Sequence, residues 1–274
     1  MTGRDVPSPP PRGTVERWAW DYVASADLSH KLAPPPRPDR WEPAPPARRP
    51  SAPGRPAALR PAARAAKTPK PGALVDPAKR ARLLHTFFHH ELQAAELMCW
   101  AALAFPEAPL AFRRGLLRIC DDEIRHMRLY AAHLDTLRHP VGSFGVRDWF
   151  WERVPACRRP VDFVALLGIG FEGANLDHSA RFAKLFRDAG DEAGAALQER
   201  VGAEEIPHVR FAVRWFTRWA GPLELERWLE VLPPPLTPIV MRGRPIQRAA
   251  RRAAGMDDAF VDALRDYPGR YGPS

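Results

Sequence analysis

The sequence predicts an all-α protein built on an antiparallel four-helix bundle with one long crossover. Long stretches carry apolar residues at alternating spacings of three and four, which is the seam of packed helices. Two of these stretches contain a Glu-x-x-His pair, Glu123/His126 and Glu205/His208. A proline-rich stretch precedes the periodic part and a shorter segment follows it. These observations predict a bundle flanked by a proline-rich N-terminal leader and a short helical C-terminal extension.

The boundaries follow from capping and turn residues. Asp76-Pro77 suits an N-cap followed by the first helical position, so the bundle is expected to begin there. We expect a leader at 1–76 with a short helix near 14–28, a bundle at 77–220, and an extension at 221–274 packed on it. The predicted bundle helices cover about 77–104, 108–138, 161–189 and 191–220, with residues 140–160 as the crossover. Pro207 is expected to kink the fourth helix.

A lone glutamate precedes each Glu-x-x-His pair at nearly the same distance. Glu91 lies 123 − 91 = 32 residues before Glu123, and Glu172 lies 205 − 172 = 33 residues before Glu205. On a helix, a spacing of three places both side chains on one face. This repeated pattern is the ligand set of a di-iron or di-manganese carboxylate site in a ferritin-like four-helix bundle. The predicted metal ligands are Glu91, Glu123, His126, Glu172, Glu205 and His208.

The predicted ligands interrupt apolar stripes. Around Glu123 the stripe runs in steps of four and three through Leu116, Cys120, Glu123, Met127 and Tyr130. Buried carboxylates without partners are costly, and several in one core repel one another. Two divalent cations would cancel four such charges and use two neutral imidazoles as further ligands. The alternative is structural: solvated glutamates at the edges of the apolar faces, and histidines hydrogen-bonded in the core.

Residues beside the predicted ligands have candidate supporting roles. Asp122 and Glu204 each precede a ligand glutamate, and we expect each to orient the metal-ligating histidine of the opposite half or else to be solvated. Tyr130 shares the face of Glu123, where it lines the cavity or packs in the core. Glu96 is a rival of Glu91, but its spacing of 123 − 96 = 27 breaks the symmetry. Four further histidines are assigned to surface or hydrogen-bonded core positions: His85, His89, His90 and His178.

Composition limits the partners. The formal net charge is +9, yet residues 1–80 account for +8 of it and the remaining residues for only +1. A near-neutral domain makes nucleic acid a less favoured partner. No apolar run has the length of a membrane span, and the first residues have no apolar signal core, so we expect a cytoplasmic protein. Three cysteines at distant positions predict neither a disulfide framework nor a zinc site.

Four segments carry a resemblance to a known family: HHELQAAEL, CDDEIRHMRLYAAHL, FEGANLD and GAEEIPHVRFAVRWF. Over about residues 55–220 the chain resembles the bacterial ferritin-like family catalogued as domain of unknown function 455. More distantly it is similar to bacterioferritins, rubrerythrins and di-iron tRNA hydroxylases. The resemblance implies a ferritin-like fold and a di-iron site on the six residues above. Pro207 departs from the family pattern inside the second pair.

The first functional hypothesis is a di-iron oxidoreductase, an oxygenase or oxidase that activates O2 for an unidentified organic substrate. Its cofactor would be two iron ions, with manganese as the alternative. No flavin or nicotinamide fingerprint is visible, so an external electron donor is expected. The second hypothesis is iron handling, as a ferroxidase or in peroxide detoxification. The third is a non-enzymatic ferritin-like scaffold with a structural metal site.

Overall fold

The structure is a computed structural model that describes residues 8–61, 69–233 and 236–268. These residues form helices and connecting segments without a β-strand, apart from a parallel bridge between Pro61 and Val146. The predicted all-α class is therefore confirmed. The chain divides into two compact units, the first made of Met1–Pro69 and Pro77–Pro155, the second of Lys70–Asp76 and Ala156–Ser274. Within the described ranges, no helix combines the length and apolar character that crossing a membrane requires.

The first unit is centred on a pair of long helices. Its helices are α1 (Val15–Ala24), α2 (Leu28–Leu32), α3 (Pro77–Ala104) and α4 (Leu110–Thr136). Thr14 caps α1, since its hydroxyl accepts a hydrogen bond from the Arg17 N–H at 3.1 Å. α3 packs along α4 and also against α1. Most of α3 is buried because partners cover more than one of its faces, which explains its apolar residues beyond a single stripe.

The described part of the leader is packed against α3. Lys31 Nζ lies 2.7 Å from Glu96 Oε1, and neither side chain is exposed. Arg55 forms a second ion pair with Glu96. Gly54 donates its N–H to the Val23 carbonyl at 2.8 Å, and a Cβ at Gly54 would lie only 2.1 Å from the Ala24 carbonyl oxygen. Only glycine allows this approach. Residues 1–7 and 62–68 of the predicted leader lie outside the described residues.

The second unit contains the other long helices and the extension. Its elements are α5 (Pro160–Phe163), a π-helical segment (Val164–Glu172), α6 (Gly173–Asp188), α7 (Glu192–Ala220), α8 (Leu225–Val231), α9 (Arg248–Ala253) and α10 (Asp258–Asp266). The third predicted helix is thus an α–π–α series. α7 continues through Pro207 as one helix, and the predicted kink stays a prediction. The extension packs within this unit, where α9 contacts both α6 and α7.

Candidate metal centre

Three of the predicted ligands meet in the first unit. α3 supplies Glu91, and α4 supplies Glu123 and His126 one helical turn apart. Glu123 and His126 are 0% exposed and Glu91 is 5% exposed. One ligand atom from each of the three residues lies within 4.8 Å of the others. We call Glu91, Glu123 and His126 the first triad; its side chains converge as the sequence predicts.

The first triad places two carboxyl groups and one imidazole close together in the buried core, and this shifts their pKa values. Nδ1 of His126 lies 3.3 Å from Glu91 Oε2 and 3.4 Å from Glu123 Oε2. Burial, and then the charge of Glu123, raise the pKa of Glu91 well above its ordinary value. Burial alone would lower the pKa of His126, but hydrogen bonds and charges from Glu123 and Glu91 outweigh it and raise this pKa to about 12. Both shifts have one cause, the crowding of two carboxyl groups around one imidazole in the buried core, and a metal cation would be stabilised by the same oxygen atoms.

The other three predicted ligands belong to the second unit. Glu172 is the last residue of the π-helical segment, and α7 supplies Glu205 and His208. All three are buried, with exposures of 5%, 0% and 3%. His208 Nδ1 lies 2.9 Å from Glu205 Oε2. We call Glu172, Glu205 and His208 the second triad. The alternative interpretation, in which the glutamates are solvated at the edges of the apolar faces, does not describe either triad.

Local sequence explains how Glu172 is presented. π-Helical segments are rare, and they occur frequently at functional sites. The segment that ends at Glu172 is wholly buried and contains Gly168 and Gly170. A Cβ at Gly168 would lie 2.3 Å from the Ala212 Cβ, so the missing side chain lets the segment pack against α7. The wider helical turns and this close packing set the position of Glu172 within its unit.

The residues of each triad carry donor atoms that transition-metal ions bind. Carboxylate oxygens and imidazole nitrogens are ligands that Fe(II), Mn(II) and Zn(II) accept, whereas Ca²⁺ and Mg²⁺ prefer oxygen alone. A buried pair of carboxylates also needs positive charge, which a divalent cation supplies. The residues present therefore fit the group that the sequence pattern implies. That the two triads complete one six-ligand centre stays a prediction.

The predicted supporting residues make hydrogen bonds or packing contacts with neighbouring side chains: Asp122, Glu204 and Tyr130. Asp122 accepts a hydrogen bond from Arg125 at 2.6 Å, and Glu204 accepts one from Arg200 at 3.1 Å. Their predicted contact with the histidine of the opposite half stays a prediction. Tyr130 is buried, and its ring packs against Phe87 with centroids 6.0 Å apart. This contact fits the core-packing role weighed from the sequence.

Glu96, the rival of Glu91, belongs to a different cluster. Besides Lys31 and Arg55, it accepts a hydrogen bond from the Trp151 indole at 2.9 Å. Arg55 Nη2 in turn lies 3.1 Å from Asp148 Oδ1, which lies 2.9 Å from His89 Nε2. We call Lys31, Arg55, His89, Glu96 and Asp148 the buried charge cluster. Sequence reasoning missed it, because Lys31 and Arg55 lie in a leader whose composition suggests solvated charges.

The remaining histidines of the first unit make structural contacts. His85 Nε2 accepts a hydrogen bond from the Gly142 N–H at 2.8 Å. The ring of His90 stacks on Phe150, with centroids 5.0 Å apart. In the second unit, burial lowers the pKa of His178. The contact of His85 agrees with the hydrogen-bonded core position that the sequence favours for it.

Fold and site together define a class: an all-helical protein with buried carboxylate–histidine triads. The family model described as "Protein of unknown function (DUF455)" matches residues 11–262, and the chain belongs to this family. The match takes in the leader and most of the extension, beyond the 55–220 resemblance seen in the sequence. A curated relative, an uncharacterized protein of Haemophilus influenzae, is 27% identical over 144 residues, which are 50% of each chain. The chain thus spans about half the length of that relative. No solved structure matches it.

Proposed function

We propose that this chain is a ferritin-like di-iron carboxylate oxidoreductase that activates O2 to oxidise an organic substrate. One observation carries the proposal: Glu91, Glu123 and His126 are buried, and one ligand atom of each lies within 4.8 Å of the others. Ferritin-like di-metal proteins draw a lone Glu and a Glu-x-x-His pair from each half of a four-helix bundle. The second triad supplies the matching residue types at the matching spacing.

Charge balance supports a dinuclear centre. Four buried glutamates and two neutral histidines carry four negative charges, which two divalent cations cancel. The proposal therefore requires that the two triads share one pair of ions, as their near-equal spacing in the sequence predicts. Iron is the favoured metal and manganese the alternative, since both accept this donor set.

The protein's own residues have defined tasks in this proposal. The four glutamates and the two histidines would hold the ions. Iron bound there would supply electrons for the reduction of O2, and an external donor would replace them. Burial of all six side chains keeps bulk water from the centre. The six residues do not identify the organic substrate.

Metal analysis of single variants tests the shared centre. Glu123→Gln removes one ligand charge from the first triad and Glu205→Gln one from the second, with little change in shape. For a shared centre, we expect about two metals per chain in the wild type and loss of both ions in either variant. Asp135→Asn, on the exposed end of α4, is the control and should keep the wild-type content. Loss of one ion in each variant would instead indicate two separate mononuclear sites, and unchanged content in both would refute the metal assignment.

Oxygen consumption distinguishes the functional alternatives. The iron(II)-loaded wild type should consume O2 in an electrode cell, and Glu123→Gln should not. A closed multi-subunit shell on a sizing column that accumulates iron would favour the iron-handling alternative. Bound metal without O2 consumption, and with a large drop in melting temperature on chelation, would favour the scaffold alternative.

A further inference from the structure

We propose that Cys99 and Cys120 form a redox-active dithiol that closes to an intramolecular disulfide when a hydroperoxide reaches it. Their Sγ atoms lie 3.6 Å apart. Both residues are 0% exposed. The sequence places them 21 residues apart and gives no sign of pairing, but the packing of α3 on α4 makes them neighbours. The dithiol contains none of the six predicted metal ligands.

The geometry is close to that of a disulfide without being one. A disulfide has an S–S length of about 2.05 Å, so the sulfur atoms must approach by about 1.6 Å. Rotation of the two Cys side chains, with a small shift of one helix, supplies such a movement. Because the two residues lie on neighbouring helices of one unit, bond formation would join α3 to α4 and leave the chain path unchanged.

The surroundings give the two thiols different roles. Burial lowers the pKa of Lys31, but its interactions with Glu96 and with Cys99 counteract this. Cys99 is thus the cysteine beside a basic side chain, and we assign it the role of nucleophile. Burial, followed by contact with Cys99, raises the pKa of Cys120 well above its ordinary value. Cys120 therefore remains a thiol until its partner has been oxidised.

The reaction balances in two steps. The Cys99 sulfur, having lost its proton, attacks the terminal oxygen of a hydroperoxide ROOH; an S–O bond forms and the O–O bond breaks. The departing RO⁻ takes up the proton lost by Cys99 and leaves as ROH. Cys120 sulfur then attacks the sulfenic acid of Cys99, the S–S bond forms, and water leaves with the Cys120 proton. In sum, two thiols and ROOH give one disulfide, ROH and water. The two electrons pass from the sulfurs to the peroxide oxygen.

Burial restricts the oxidant to small molecules. With neither sulfur exposed, a bulky disulfide such as oxidised glutathione cannot reach the pair, whereas hydrogen peroxide can enter through small fluctuations. Cys120 also precedes Glu123 by three residues on α4, about 4.5 Å along the helix axis. The dithiol therefore lies about one helical turn from the first triad along α4.

The test is thiol counting on chelated, metal-free protein. After hydrogen peroxide treatment, quenching, and alkylation in denaturant, intact-mass analysis should show alkylated cysteines falling from three to one. Tandem spectra should show a linkage between the peptides of Cys99 and Cys120. Oxidised glutathione at the same concentration should leave three alkylated cysteines.

Variants separate the roles and provide controls. Cys157→Ala removes the buried cysteine of the second unit and should still form the Cys99–Cys120 bond. Cys120→Ser removes the resolving thiol, so a sulfenic acid trapped by dimedone should appear on Cys99. The proposal is wrong if peroxide leaves three alkylated cysteines in the wild type, or if the disulfide that forms includes Cys157.

Discussion

Arg251 and Asp177 form a doubly hydrogen-bonded ion pair in which neither side chain is exposed to solvent. Arg251 Nη2 donates to Asp177 Oδ2 at 2.7 Å, and its Nε donates to Oδ1 at 3.2 Å. The same carboxylate accepts backbone N–H groups of Gly243 at 2.8 Å and Gln247 at 2.7 Å. One aspartate on α6 therefore holds both α9 and the segment that precedes it.

Replacing Asp177 should destabilise the protein strongly. Asp177→Asn leaves the Arg251 charge buried and uncompensated, which costs about 3–5 kcal/mol of unfolding free energy. Urea unfolding followed by circular dichroism measures the change. Asp188→Asn, on the same helix, breaks the exposed pair with Lys184 and should cost less than about 1 kcal/mol. Equal losses of unfolding free energy in the two variants would contradict the role of Asp177 in holding α9.

Gly168 should tolerate no side chain. An Ala side chain there would place its Cβ 2.3 Å from the Ala212 Cβ, and such overpacking costs about 1–3 kcal/mol. Exchanging the two residues tests the cause, since Gly168→Ala combined with Ala212→Gly should recover most of the loss seen in thermal unfolding. Gly173→Ala is the control and should be nearly neutral, because the new Cβ would lie 3.5 Å from its nearest neighbour, Met256 Cε. A double variant no more stable than Gly168→Ala would show that the contact with Ala212 is not the cause.

Glu91 and Glu96 should respond oppositely to the same substitution. Glu91→Gln is expected to lose metal, whereas Glu96→Gln should keep metal while losing about 3–5 kcal/mol of stability, because Lys31 and Arg55 remain buried beside an amide. Metal analysis and urea unfolding of both variants give the two readouts. Asp121→Asn, which breaks a part-exposed pair with Arg37, is the matched control and should change neither quantity by much. Loss of metal in a folded Glu96→Gln would restore Glu96 as a ligand candidate.

His85 should make stability depend on pH below neutrality. Burial, and then the neighbouring His89, lower the pKa of His85 from 6.5 to about 4. Between these values the unfolded chain binds the proton and the folded chain does not, so stability present above pH 6.5 is lost as the pH falls. The unfolding free energy of the wild type should fall between about pH 7.5 and about pH 5. In His85→Gln this fall should be smaller by about 2 kcal/mol. His133→Gln, on the outer side of α4, should keep the wild-type difference.

Periodic spacing predicted the long helices and the adjacency within each Glu-x-x-His pair because both are local properties. Apolar steps of three and four marked α3, α4 and α7 to within a few residues of their observed ends. A separation of three brought Glu123 beside His126 and Glu205 beside His208. The all-α class follows from the same pattern. How the two triads combine depends on packing over long distances, and it stays a prediction.

Features set by packing between distant segments were not predictable from the chain. Nothing local in the sequence distinguishes the π-helical segment from an α-helix, and the close approach of Gly168 to Ala212 on α7 is visible only in the folded structure. Lys31 and Cys99 likewise look ordinary in the sequence. Only the packing of the leader on α3 and of α3 on α4 shows that each has a buried partner.

The buried charge cluster also has a consequence for synthesis on the ribosome. Arg55 leaves the ribosome 93 residues ahead of its partner Asp148. At about 5–20 residues per second, this interval lasts about 5–20 s. Until α3 has been synthesised, the nascent leader presents Trp18, Tyr22 and Val23, which are buried in the folded chain, to the surroundings of the translating ribosome. The leader thus completes its contacts only after later segments have been synthesised, and we expect it to be a target for a chaperone that acts during translation.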